Sequence, residues 1–273
     1  MITRFAPSPT GPLHLGHALS ALTVWSMAES LGGTALLRIE DTDSSRVRPE
    51  YEQGIYDDLA WLGLRWPEPV LRQSEHEDAY LAVLGRLATM GLIYPCGCTR
   101  RQIAAAGAKQ GADGLVYPGL CRHRHLRERG PDDALRLNVA KALARVEKPL
   151  QYIETGKGAG RVTVTEDMLL RLIGDPILQR KETGDAAYHL ACVHDDMRQK
   201  ITHVVRGTDL QATTPLHVLL QQVLGYSTPT YHHHRLVVDA EGRRLAKIDK
   251  SKAIAKYRDE GATPADIRRM IGF

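Results

Sequence analysis

The stretch Pro7-Ser8-Pro9-Thr10-Gly11-Pro12-Leu13-His14-Leu15-Gly16-His17 decides the fold. Before it, Ile2 to Ala6 reads as a short buried strand. After it, Leu15, Leu19, Leu22, Trp25 and Met27 approximate the apolar stripe of a helix over 14–30, and Gly32-Gly33 is its stop. Ala35 to Ile39 is a second strand-like run, ending in Glu40-Asp41-Thr42-Asp43. Strand, glycine turn, helix and strand open a βαβ unit with a parallel sheet. His14 and His17, three apart, put both rings on one face of the first helical turn. A helix start offers unpaired N–H groups and a positive dipole end, so two added imidazole donors suit a phosphate chain. Gly11 relieves the turn, and Gly16 leaves room for a ligand against the helix. An isolated H-x-x-H would read more often as a capping or core pair.

The rest of the chain sets limits. Its 273 residues suffice for a sizeable core and one or two domains. A net charge of +4, from 36 basic and 32 acidic residues, permits a nucleic-acid partner without requiring one. No apolar run reaches the ~20 residues of a membrane span, and the N-terminus carries no signal-peptide pattern; a cytoplasmic protein is expected. A dinucleotide-binding oxidoreductase is disfavoured because the βαβ opening lacks G-x-G-x-x-G.

Helical patterns follow near 50–62 and 75–90. The segment 94–130 carries three cysteines, several glycines and many basic residues, and reads as an insertion with its own organising element. Further strand-like runs lie at 134–139, 161–165 and Ile201–Val205. The runs 176–181 and 187–194 flank Glu182-Thr183-Gly184-Asp185 and predict a hairpin. Thr214-Pro215 resembles an N-cap followed by proline, opening a helix over 215–224. A polar, helical tail is expected over 252–273. The expected division is 1–93 and 176–240 as two halves of one catalytic domain, 94–175 as the insertion, and 241–273 as a lysine loop with a helical segment.

Cys96, Cys98 and Cys121 supply three thiolates, and clustered cysteines in a reducing compartment suggest a metal. Structural zinc takes four ligands, which leaves Tyr117, His123 and His125 as candidates for the fourth; chemistry alone favours a histidine. Cys192 reads as core packing in an apolar strand, and His232-His233-His234 as a loop near the active site at most.

Arg4-Phe5-Ala6-Pro7-Ser8-Pro9-Thr10-Gly11-Pro12-Leu13-His14-Leu15-Gly16-His17 resembles the first motif of class I aminoacyl-tRNA synthetases, in the glutamyl/glutaminyl branch. Leu36-Leu37-Arg38-Ile39-Glu40-Asp41-Thr42-Asp43, the run Ala187 to Asp196 and the run Ile201 to Leu210 resemble the same branch. Arg244-Leu245-Ala246-Lys247-Ile248 looks like a diverged copy of the second, lysine-containing ATP motif, with Arg244 and Ala246 departing from it; Lys250-Ser251 is a competing register. The resemblance implies an α/β fold: a Rossmann-type catalytic domain with a parallel sheet, a zinc-bearing insertion and a short helical C-terminal region. It implies ATP contacts from His14, Gly16, His17 and Lys247, with Mg2+ accompanying ATP. It implies glutamate contacts from Arg4, Phe5, Ala6, Pro7, Ser8, Glu40, Tyr188 and Arg206. A glutamate ligand, with two carboxylates and an ammonium, demands arginine and an acidic or phenolic group.

The pattern Cys-x-Cys … Tyr-x-x-x-Cys resembles the zinc site of the short glutamyl-synthetase relatives, which implies Tyr117 as fourth ligand. The chain continues 26 residues past Lys247, from which no anticodon-binding domain is expected. These features together resemble the glutamyl-queuosine tRNA(Asp) synthetase family. That implies tRNA-independent activation of L-glutamate and its transfer to queuosine in the anticodon stem-loop of tRNA(Asp), by a monomer. The rival readings are a small glutamyl-tRNA synthetase charging a tRNA 3′ end and a non-catalytic RNA-binding paralogue.

Overall fold

The apolar runs flanking the Pro7–His17 turn become adjacent parallel strands. In this computed structural model, which describes residues 1–238 and 252–273, the chain begins β1 (Ile2–Phe5), α1 (Leu15–Ser30), β2 (Thr34–Ile39), α2 (Pro49–Trp61), β3 (Leu71–Arg72) and α3 (Glu77–Thr89). It continues β4 (Ile93–Cys96), α4 (Arg100–Ala105), β5 (Gln110–Gly111), β6 (Gly114–Leu115), β7 (Ala134–Leu137), α5 (Val139–Leu143), β8 (Gln151–Glu154), β9 (Gly160–Thr163) and β10 (Ile177–Gln179). It ends α6 (Tyr188–Arg198), β11 (His203–Gly207), α7 (Thr214–Leu224), β12 (Thr230–His234), α8 (Ile254–Asp259) and α9 (Pro264–Met270).

Two parallel groups, β3-β2-β1 and β11-β12-β8, meet where β1 stands beside β11. Thr202 N–H donates to Ile2 O at 2.9 Å and ties their starts together. β9 adds an antiparallel edge to β8. Strands β1 and β11 are buried almost throughout, as expected where helices cover both faces. The order reverses between β1 and β11, and in such sheets the crevice past the strand ends at that reversal takes ligands.

Helix α1 buries Leu15, Ala18, Leu19, Ala21, Leu22, Val24 and Ala28 against this sheet. Each large side chain so buried contributes about 1.5–3 kcal/mol. Gly32 ends it at φ +58°, and a Cβ on Gly33 would stand 2.4 Å from Met1 O, so the chain turns tightly into β2.

The insertion is built on the antiparallel order β10-β7-β4, with the small hairpin β5–β6 beside it. Strands β8 and β9, although within 94–175, join β12. Among the described residues no helix is long and apolar enough to cross a membrane.

Four expectations need correction. The run 187–194 is not the second strand of a hairpin; it lies in helix α6, and one bridge between Gln179 and Ala186 is all that pairs across the turn. A short apolar run does not reveal its own period, and α6 is buried along consecutive positions from His189 to Asp196, so no polar face marks it as helical. Cys192 therefore sits in a helix, with its sulfur 3.7 Å from Arg4 Nη2 and 3.6 Å from Arg38 Nη2. His232–His234 is strand β12 rather than a loop. Thr214 is the first residue of α7, with Thr213 at the cap, which releases the Thr214 hydroxyl for another use.

Candidate active site

A cleft of about 460 Å³ opens at the ends of β1, β2, β11 and β12. Arg4, Phe5, Ala6, Pro7, Ser8, His14, Gly16, His17, Glu40, Tyr188 and Arg206 all line it. Every described residue expected to contact ATP or the amino acid is thus brought to one cavity. Lys247, Arg244, Ala246 and the competing Lys250-Ser251 lie outside the described residues.

The two histidines cap the helix and, among the described residues, keep a free donor each. His14 Nδ1 accepts from Gly16 N–H at 3.0 Å, and His17 Nδ1 accepts from His14 N–H at 3.2 Å. A ring nitrogen that accepts a backbone N–H carries no proton, so each neutral ring bears its proton on Nε2. The rings stack with centroids 3.8 Å apart. Burial lowers the His14 pKa, and burial with the neighbouring His14 lowers that of His17 to about 3. Both stay neutral near pH 7. Capping and ligand donation are therefore compatible roles, one for each ring nitrogen. A Cβ on Gly16 would lie 2.9 Å from His14 Cε1, so glycine lets the His14 ring fold over the turn.

The cationic groups differ in their commitments. Arg4 reaches Asp196 through Nε to Oδ1 at 2.9 Å and Nη2 to Oδ2 at 3.4 Å. Arg38, fully buried, reaches the same Asp196 Oδ1 at 2.7 Å and Glu40 at 2.9 Å. Glu40 is pulled two ways: burial raises its pKa, and Arg38 and Arg4 hold it down, with a net rise. Asp196 is lowered, because Arg4 and Arg38 outweigh its burial.

Arg206, also buried, has no carboxylate within ion-pair distance among the described residues. Its guanidinium donates to Thr214 Oγ1 at 2.8 Å, His233 Nε2 at 3.2 Å and His217 Nδ1 at 3.3 Å. All three acceptors are neutral: burial, then the Arg206 charge, lowers His217 well below its ordinary value and His233 to about 4. Tyr188, the first residue of α6, stays a protonated phenol because burial raises its pKa far above the ordinary value.

The sequence reading missed Asp196, Arg38, His217, His233 and Thr214. Arg38 lay within the run Leu36 to Asp43, Asp196 within the run Ala187 to Asp196 and His233 within a histidine run read as near the active site at most, but none of them was singled out.

The cysteine cluster lies apart from this cleft, in the insertion. The sulfurs of Cys96, Cys98 and Cys121 lie within 4.8 Å of one another. Tyr117 Oη is 3.3 Å from Cys96 Sγ and 3.4 Å from Cys98 Sγ, and it accepts the Cys121 N–H at 2.8 Å. His123 and His125 are exposed and do not join the group. Burial and the surrounding thiols push Cys98 up to about 11. Burial opposes ionisation of Cys96 as well, but hydrogen bonds from Tyr117 and Arg136 lower its pKa overall. Three soft sulfur donors and one oxygen, converging at this spacing, fit a tetrahedral zinc ion.

The family model for class I tRNA synthetases (E and Q), catalytic domain, matches residues 1–272. The chain belongs to that family and is an aminoacyl-tRNA synthetase-type ligase. Among curated proteins it is 49% identical to a glutamyl-Q tRNA(Asp) synthetase of Rhodobacter capsulatus, covering 100% of both chains. It is 36% identical to a glutamate–tRNA ligase of Nitratidesulfovibrio vulgaris, covering 97% of this chain but 55% of that one. A solved glutamate tRNA ligase from Elizabethkingia meningosepticum, in complex with its amino acid, superposes with a TM-score of 0.75 at 26% identity. That match covers 99% of this chain and 60% of the ligase, so the chain spans under two thirds of that protein's length.

Proposed function

We propose that the cleft activates L-glutamate with ATP as glutamyl-adenylate, without tRNA, and that the glutamyl group then passes to queuosine in the anticodon loop of tRNA(Asp). The observation that carries the first half is Arg206: a buried cation facing the cleft, held by three neutral acceptors. A substrate carboxylate supplies the missing countercharge, in the bidentate or charge-assisted geometry arginine favours. Glu40 and the Tyr188 phenol are the groups for the substrate ammonium, and Arg4, fixed by Asp196, adds positive potential to the same wall. Phe5, Ala6, Pro7 and Ser8 form the floor on which the amino acid lies.

In activation, a glutamate α-carboxylate oxygen attacks the α-phosphorus, the bond to the bridging oxygen breaks, and pyrophosphate leaves with its electron pair. His14 and His17 donate Nε2–H bonds to the phosphate oxygens where charge develops, from rings already oriented by the helix cap. Gly16 admits the nucleotide against the helix. Lys247 is assigned to the departing phosphates. Mg2+ bound with ATP supplies charge neutralisation on those phosphates. In transfer, a nucleophile of queuosine attacks the acyl carbon and AMP leaves.

Cys96, Cys98, Tyr117 and Cys121 would hold zinc, which would lock the insertion rather than take part in either step. The acceptor assignment rests on the full-length likeness to a relative named for it. The reading is of a cytoplasmic monomer.

The test is glutamate-dependent ATP–pyrophosphate exchange without tRNA, followed by transfer of labelled glutamate to tRNA(Asp) with and without queuosine. Exchange and queuosine-dependent labelling are expected. No exchange sinks the activation reading. Equal labelling of both tRNAs sinks the queuosine acceptor, and labelling of a tRNA 3′ end favours the glutamyl-tRNA ligase alternative.

A further inference from the structure

Arg206 stands at the head of a hydrogen-bonded chain that leaves the cleft and ends in the insertion. Its Nη1 lies 3.3 Å from His217 Nδ1. His217 Nε2 lies 2.9 Å from His189 Nδ1, and His189 Nε2 lies 3.0 Å from Asp113 Oδ2. His217 and His189 are buried, at 1% and 6% exposure, whereas the Asp113 side chain is 68% exposed at the turn between β5 and β6.

The chain admits one proton arrangement. A guanidinium only donates, so His217 Nδ1 accepts and its proton is on Nε2. That proton points at His189 Nδ1, which accepts, so the His189 proton is on Nε2 as well. The carboxylate of Asp113 accepts it. Every bond runs from the arginine toward the acid, and bonds so aligned polarise one another. Reversing either ring would leave two donors or two acceptors facing each other in a buried place. The second branch, from Arg206 through His233 to Glu154 with Nδ1 and Oε2 in contact at 2.5 Å, is wholly buried and runs between β12 and β8 of the parallel sheet. The Asp113 branch comes from the insertion. It also joins two cavities: Arg206 lines the active-site cleft, while His189 and Asp113 line a second cleft of about 850 Å³ against the insertion.

We propose that Asp113 is a positioning residue for amino-acid recognition, acting through His189 and His217 to fix the Arg206 guanidinium and so making glutamate affinity depend on how the insertion docks. The proposal rests on the reading of Arg206 as the glutamate carboxylate partner. It assigns Asp113 no contact with substrate.

The experiment compares wild-type protein, Asp113→Ala and Asp113→Asn in ATP–pyrophosphate exchange, with long-range 15N–1H spectra of the histidines. Losing one neutral-histidine hydrogen bond at the far end of the chain should raise the glutamate KM about fivefold in Asp113→Ala, with the ATP KM and kcat within about twofold. Asp113→Asn, whose amide oxygen can still accept, should stay within about twofold of wild type throughout. The wild-type spectra should show His189 and His217 as Nε2–H tautomers, and the alanine variant should show His189 as a mixture. An Nδ1–H tautomer at either ring in the wild type overturns the proposal, as do parallel rises in the two KM values. Exchange by the wild type with an unchanged glutamate KM in Asp113→Ala removes this proposal alone. No exchange by the wild type removes the glutamate reading, and this proposal with it.

Discussion

Asp196 meets Arg4 side-on, with Oδ1 2.9 Å from Nε and Oδ2 3.4 Å from Nη2, and the pair is buried. The same Oδ1 takes Arg38 at 2.7 Å. One carboxylate thus balances two buried guanidinium groups, and Glu40 balances Arg38 further. Removing Asp196 would leave like charges facing each other without water. Asp196→Asn should therefore destabilise the fold by about 3–5 kcal/mol, the usual cost of breaking a buried pair from one side. Denaturant unfolding measures this. A loss under about 1 kcal/mol would mean the arginines are not held by this acid.

Arg206 gives the complementary case, a buried cation with no carboxylate within ion-pair distance among the described residues. Arg206→Ala should raise the glutamate KM far more than the ATP KM, and lower kcat/KM for glutamate about a hundredfold, the scale of one charge-assisted pair in a dry site. Steady-state exchange at varied glutamate and ATP gives both constants. Equal effects on both substrates would argue against a carboxylate partner.

The dual use of His14 permits a clean separation of fold from chemistry. Asparagine is a strong N-cap, so His14→Asn should keep the bond to Gly16 N–H and change stability by less than about 0.5 kcal/mol. It lacks the Nε2 donor, so kcat for exchange should fall about a hundredfold or more, as when one pre-aimed donor is removed. His14→Ala should lose the rate and, in addition, about 1 kcal/mol of cap stability. Matching thermal melts to exchange rates for the two variants tests the division.

What the sequence disclosed, and what it hid, follows from the range of the interactions. The βαβ opening was legible because its signals are local: an apolar run, a proline and glycine turn, a helical stripe and two glycines. The turn at Pro7–His17 was legible for the same reason. Helix α6 was not, because burial on all sides erases the polar face that reveals a period. The partners of Arg206 were hidden for a different reason. Thr214, His217 and His233 lie 8, 11 and 27 residues away along the chain and meet only when α7 and β12 pack beside β11. Thr214 looked like a cap because Thr-Pro is a common helix opening; its hydroxyl instead accepts from Arg206.

The metal assignment depends on a phenol that chemistry alone ranks below histidine. Tyr117 Oη sits among the three sulfurs, whereas His123 and His125 are exposed. Purified protein should contain about one zinc per chain. Loss of even an outer-sphere partner typically costs 10–100-fold in metal affinity, so Tyr117→Phe should weaken zinc by at least about tenfold, while His123→Ala leaves it unchanged. Competition with a chromophoric chelator measures both. The reverse ranking would move the fourth ligand to the histidine.

The buried imidazoles set a direction for acid unfolding. His17 and His233 titrate near 6.5 when unfolded but at about 3 and about 4 when folded, held down first by burial and then by His14 and Arg206 respectively. Between those values the unfolded chain binds more protons, so the stabilising contribution is whole above pH 6.5 and is lost as pH falls through the folded values. His14, His194, His203, His217 and His234 are lowered by burial and act in the same sense. Asp58, Glu40 and Glu77 act against them: burial raises Asp58 from 3.8 to about 6 and raises Glu40 and Glu77 as well, so they add stability as pH falls. Three carboxyls against seven imidazoles should leave a melting temperature that drops steadily from pH 7 to pH 5. Because His233 and His217 stay neutral over that interval, the glutamate KM should remain flat between pH 6 and pH 8. A glutamate KM that rises with an apparent pKa near 6.5 would show that an acceptor of Arg206 is charging, and would contradict the neutral shell around that guanidinium.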